Sequence, residues 1–105
     1  MVIKANEIQK RLFMGVSFDL LSVGQESMVT KMNYKSGDFV PEHKHPNEQS
    51  GYVLSGIYML RLDDIDEILT KGDSYSIPAN VLHSLEILEP GEVIDVFTPP
   101  RPDYL

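Results

Sequence analysis

GDFVPEHKHPNEQSGYVLSG, residues 37 to 56, carries two of the chain's three histidines one residue apart, followed by a proline and a run of polar side chains. On an extended backbone residues i and i+2 face the same way, so His43 and His45 can converge on one ion while Lys44 points away. If the register continues past Pro46, Gln49 shares their parity and can bring its amide oxygen to the same point. Glu48 lies one residue out of register and reads as a solvated or salt-bridged carboxylate. Taken alone, an HxH pair on a polar loop is more often solvated than ligating, so the rest of the chain has to decide.

The third histidine, His83, stands in IPANVLHSLEIL, residues 77 to 88, just after a proline turn and at the head of an apolar strand. Its parity matches Leu85 and Ile87, and one face of that strand must look into the core. If the inward face is the histidine's, His83 is a ligand; otherwise it is a satisfied core or rim residue. Three imidazoles plus one oxygen suit a divalent first-row metal, with water completing the sphere.

Short alternating or β-branched segments recur along the chain: VSFDLLSV (16–23), ESMVTKMNY (26–34), GYVLSG (51–56), IYMLRLD (57–63), DEILT (66–70), HSLEILE (83–89) and EVIDVFT (92–98). Turn signals separate them, as SGD, KGD, IPAN and EPGE. Only NEIQKRLF, near the N-terminus, reads as a helical turn. Short strands without intervening helices predict an all-β sandwich or small closed barrel. VIDVF is apolar on both faces, as expected of a strand that buries one face in the barrel and the other against a second subunit; a homodimer is the expectation.

With 105 residues, the chain suits a single domain, residues 1–105. It has no cysteine, which excludes disulfides, thiolate ligands and cysteine nucleophiles. Any transition metal must therefore use His, Asp, Glu, Gln or water. The formal charge of −7 repels a phosphate backbone and argues against nucleic acid as a partner. A small anionic substrate remains compatible, because a bound cation sets the local potential. No apolar run is long enough to span a membrane and MVIKANEIQKRLF lacks the apolar stretch of a secretory signal, so the expected location is the cytoplasm.

The two histidine regions fall into two larger patterns. From Gly37, five residues lead to His43, one more to His45, three to Gln49 and six to Gly56. From Gly72, five residues lead to Pro78, then Asn80, then two more to His83. In this order they resemble the two motifs of the cupin family, with Gln49 where the family most often has Glu, Asn80 in place of a usual glycine, and Ile87 in place of a usual terminal asparagine. The resemblance implies a single-domain double-stranded β-helix, the jelly-roll barrel, with His43, His45, Gln49 and His83 as metal ligands. A Zn, Ni, Mn, Fe or Cu ion held by three neutral imidazoles and a neutral amide keeps its whole charge and favours anionic ligands.

The tail EVIDVFTPPRPDYL resembles the C-terminus of the KdgF-type pectin-degradation cupins, which open unsaturated uronate monosaccharides to linear keto-acids. In that group an aspartate, a phenylalanine and an arginine of this segment face the metal; Asp95, Phe97 and Arg101 match by position. Asp95 and Phe97 also share strand parity. A carboxylate in an otherwise apolar strand needs a partner, and a metal, a metal-bound water or Arg101 would supply it; a salt bridge to Arg101 or to a rim lysine is the plain alternative. Arg101 has the fork geometry for a substrate carboxylate. The tyrosines at 34, 52, 58 and 75 read as core or interface packing.

The expected activity is metal-dependent opening of a 4,5-unsaturated uronate, with Asp95 moving protons, Arg101 holding the carboxylate and Phe97 walling the pocket. Two other readings remain: an Fe-, Mn- or Cu-dependent dioxygenase, and a non-catalytic metal- or sugar-binding module.

Overall fold

In the computed structural model, which describes Met1–Leu105, ten strands follow one another along the chain. They are β1 (Gln9–Phe13), β2 (Val16–Val23), β3 (Met28–Tyr34), β4 (Phe39–His43), β5 (Glu48–Val53), β6 (Ile57–Leu62), β7 (Ile65–Leu69), β8 (Ser74–Ile77), β9 (His83–Glu89) and β10 (Gly91–Thr98). Every pairing is antiparallel. One sheet has the order β1-β2-β3-β10-β5-β8 and the other β4-β9-β6-β7, giving the expected all-β jelly roll. No helix is long and apolar enough to cross a membrane.

Strict alternation builds the core. In β3 Met28, Thr30, Met32 and Tyr34 are buried while the residues between them are not, and in β10 Val93, Asp95 and Phe97 follow the same rule. Facing residues such as Val40, Leu60 and Leu85 come from the smaller sheet. The polar residues among these inward positions, Thr30, Gln49, Asp95 and His83, mark where the core gives way to a site.

Two local expectations change and two strands are added. The segment NEIQKRLF is not one helical turn: only Ala5–Glu7 makes a short 3-10 turn, and Gln9–Phe13 is a strand paired with β2. Met14 and Gly15 between them both adopt positive φ, the two-residue corner that suits the twist of a hairpin. FVPEH is also a strand, although it contains proline. As an edge strand β4 loses little from the missing N–H of Pro41. SYSI forms the opposite kind of surprise, a short polar edge strand, and the strand containing GYV begins earlier, at Glu48.

Asn80 explains its own substitution. Its φ is +64°, the left-handed region that glycine enters freely and asparagine tolerates better than most residues. Its backbone N–H donates to the His45 carbonyl at 2.7 Å, so the turn before His83 is tied to the loop that carries His45.

Candidate metal centre

Sheet pairing places two of the histidines together. His43 closes β4, His83 opens β9, and the two are directly opposed in the ladder, with ring centroids 4.3 Å apart. His45 lies just beyond β4 and turns inward before the bend at Pro46 and Asn47, its ring 5.0 Å from that of His83 and 5.6 Å from that of His43. Gln49 reaches the same region from the other sheet, where it pairs with Phe97. Gln49 is buried, whereas Glu48 and Lys44 are exposed.

Each imidazole is oriented by a backbone carbonyl two residues away. Nδ1 of His43 contacts the Pro41 oxygen at 2.9 Å, Nδ1 of His45 the Asn47 oxygen at 2.9 Å, and Nδ1 of His83 the Val81 oxygen at 2.8 Å. A carbonyl can only accept, so in all three rings Nδ1 carries the proton and Nε2 keeps its lone pair. Burial pushes the pKa of all three down, that of His83 to about 4, which keeps the rings neutral near neutral pH.

The outcome is a cluster of acceptors without donors. Nε2 of His83 is a buried atom with no hydrogen-bond partner. Nε2 of His45 faces Oε1 of Gln49 at 3.1 Å. Two lone pairs at that distance repel unless a cation lies beside both. One ligand atom from each histidine lies within 4.8 Å of the others. Two nitrogens on opposite sides of one ion are about 4.2 Å apart at most, so small ring movements would close the set around a metal. The residues fit a divalent transition ion by donor chemistry, tautomer and convergence.

Asp95 is 2% exposed and points to the same interior. Its partner is a residue that sequence reasoning left as packing: the Tyr75 hydroxyl donates to Oδ1 at 2.6 Å. The Gln49 side chain lies near the same carboxylate and lowers its pKa. Burial nevertheless dominates, and the carboxyl is pushed up to about 6 despite Tyr75, Gln49 and the charge of Arg101. The Tyr75 phenol is itself held well above its usual range by burial and by the Asp95 charge, so it remains a donor. A glutamate at position 49 would add a second negative charge near Asp95; the amide of Gln49 offers an oxygen to the cluster without one.

Arg101 does not pair with Asp95. Its Nε and Nη2 bond the two carboxylate oxygens of Asp103 at 3.2 and 2.7 Å, leaving Nη1 for another acceptor. The guanidinium lies over the rings of Tyr104, Phe13 and Phe97, at 4.1, 4.8 and 5.1 Å from their centroids. Asn47 fastens this tail to the histidine loop: its amide donates to the Pro99 carbonyl at 2.6 Å and the Pro100 carbonyl at 3.4 Å, while its own carbonyl orients His45. Sequence parity carried no signal for Tyr75, Asn47 or Asp103, because each acts across the fold or from a loop.

These groups line one cavity. His43, Gln49, His83, Asp95, Tyr75 and Arg101 all border it, among apolar walls that include Tyr104. About 30 Å³ is open inside, room for two or three water molecules.

Residues 30–97 match the family model for the cupin domain. The pectin degradation protein KdgF of Dickeya dadantii (strain 3937) is 30% identical over 93 residues, spanning 87% of this chain and 84% of that protein. Among solved structures, KdgF from a Halomonas species superposes with a TM-score of 0.90 at 26% identity, covering 100% of both chains. An RmlC-like cupin from Shewanella frigidimarina NCIMB 400 gives a TM-score of 0.91 at 27% identity, over 99% of this chain and 95% of that one.

Proposed function

The chain belongs to the cupin domain family, and from that premise we propose that it is a metal-dependent enzyme of pectin degradation that opens 4,5-unsaturated uronates to linear keto-acids. The observation that carries the reading is a buried carboxylate, Asp95, opening on the same cavity as Arg101 and as His43 and His83 of the three-histidine cluster. The likeness to KdgF proteins over most of the chain supports the substrate class.

His43, His45, Gln49 and His83 would hold the metal, whose undiminished positive charge supplies Lewis-acid stabilisation of developing negative charge on a substrate oxygen. In the reaction the anomeric hydroxyl loses its proton, the bond between C1 and the ring oxygen breaks, and the ring oxygen keeps the electron pair as an enolate. A proton is then delivered to C4 and the enolate becomes a ketone, so substrate and product are isomers. Asp95, titrating at about 6, is matched to taking and returning a proton near neutral pH. Arg101 offers Nη1 to the substrate carboxylate, and Phe97, buried beside His45 with ring centroids 5.7 Å apart, walls the site. Asp103, whose side chain is 55% exposed, can yield part of the guanidinium to an incoming carboxylate.

The test follows the ultraviolet absorbance of the conjugated alkene after metal-loaded protein is mixed with a 4,5-unsaturated uronate. Absorbance should fall with wild type and persist with Asp95→Ala. A wild-type rate equal to that of buffer would refute the proposal, and oxygen uptake instead would favour a dioxygenase. The outer face of β3, β10 and β5 supports a homodimer as well. Val29, Ile94 and Val96 lie there only half-buried, beside the exposed Tyr52. Sedimentation should give twice the chain mass, and Val96→Lys should give the monomer.

A further inference from the structure

We infer that Tyr75 is a positioning residue for Asp95, and that residue 51 is glycine so that the tyrosine can reach it. The inference rests on the role given to Asp95 above. Tyr75, Gly51 and Asp95 form one cross-strand row: Tyr75 is opposite Gly51 between β8 and β5, and Gly51 is opposite Asp95 between β5 and β10. Tyr75 and Asp95 are thus two strands apart, which puts their backbones about 9–10 Å from each other. A phenol spans that gap only by lying flat across the strand between them.

The intervening strand is notched for it. A Cβ on Gly51 would fall 2.1 Å from Cζ of Tyr75, 2.4 Å from Cε1 and 2.4 Å from its hydroxyl oxygen. Gly51 has no need of a left-handed backbone to explain it, since it is a regular residue of β5 and does not adopt positive φ. Close approach by the tyrosine ring is the demand that excludes a side chain there. The hydroxyl that arrives over the notch bonds Oδ1 of Asp95 at 2.6 Å. That bond sets the plane of the carboxylate and leaves Oδ2 as the oxygen turned away from the tyrosine. A phenylalanine would fill the same groove without the bond that orients the carboxylate.

The experiment compares wild type, Tyr75→Phe, Gly51→Ala and the double variant as metal-loaded proteins. Tyr75→Phe should lower kcat for the unsaturated uronate roughly 10- to 100-fold, with KM and bound metal unchanged, because misplacement of a catalytic group costs rate rather than ground-state affinity. Gly51→Ala should lower kcat similarly, and the double variant should be no worse than the poorer single one, since both break the same contact. Crystal structures of wild type and Tyr75→Phe supply a readout independent of turnover: the Asp95 carboxylate should be rotated in the variant. An unrotated carboxylate, or a wild-type kcat in Tyr75→Phe, overturns the inference. If Gly51→Ala fails to fold, Tyr75→Phe carries the test alone. Wild type inert toward uronate would refute the proposed reaction, while the carboxylate orientation would still decide the role of Tyr75.

Discussion

Replacing Asp95 by asparagine should stabilise the metal-free protein while abolishing uronate turnover. The carboxyl of Asp95 ordinarily titrates at 3.8 and is pushed up to about 6 in the fold, chiefly by burial. Below pH 3.8 it is protonated whether the chain is folded or not, and its burial carries no charge penalty. As pH rises through the interval from about 4 to 6 the unfolded chain loses its proton first, and the fold loses stability. Above that interval the penalty is complete, about 3 kcal/mol at pH 8 and about half of that at pH 5. Asparagine removes the charge and keeps an oxygen for the Tyr75 hydroxyl, but it buries an NH2 group where Oδ2 stood, at a cost of about 1 kcal/mol. The expected net gain is about 2 kcal/mol at pH 8, which raises Tm by roughly 10 °C for a domain of this size. At pH 5 the gain should fall below about 1 kcal/mol. Thermal and urea unfolding of chelator-treated wild type and Asp95→Asn, followed by circular dichroism at both pH values, measure the difference. An asparagine variant no more stable at pH 8, or equally advantaged at both pH values, would refute the reasoning.

Chelation should lower Tm of the wild type, because a metal at 100 times its Kd contributes about 2.7 kcal/mol to the folded state alone; His83→Ala should lose that metal-dependent shift in the same thermal scan. Asn47→Ala should destabilise by about 1–3 kcal/mol, since Asn47 is buried and its loss strands the Pro99 carbonyl. Through the loosened Arg101 segment it should also raise KM for the uronate more than it lowers kcat. Asp19 is buried on β2 beside Lys10, Lys31 and Asn33. Burial pushes its carboxyl up, but the bonds from Lys10 and Asn33 and the two lysine charges outweigh that and hold it below its usual value. Its contribution is present above the carboxyl's unfolded pKa and is lost as pH falls through the lower folded one. Asp19→Asn should therefore lose stability at pH 7, and the deficit should shrink in acid when followed by urea titration.

Local spacing was enough to read an all-β sandwich or small barrel, and the resemblance of two motifs to the cupin family supplied the jelly roll and the residues that gather inside it. A period of two puts Asp95 and Phe97 on one buried face of β10, and the same parity separates the buried Gln49 from the exposed Glu48. The two-motif order brought His83 to His43 and His45 despite their distance in sequence. NEIQKRLF misled the same reasoning and FVPEH went unread, because local spacing cannot know which strand will be an edge or which dipeptide will close a hairpin. Registry between distant strands lies outside any local period. Only the folded sheet sets Tyr75, Gly51 and Asp95 in a row, and only the return of the tail lays Arg101 over Phe13 and gives the Pro99 carbonyl to Asn47. Side-chain parity is a property of each strand by itself and so is written in the sequence. Pairing across strands depends on how all of them close around one core, and that the tertiary structure alone decides.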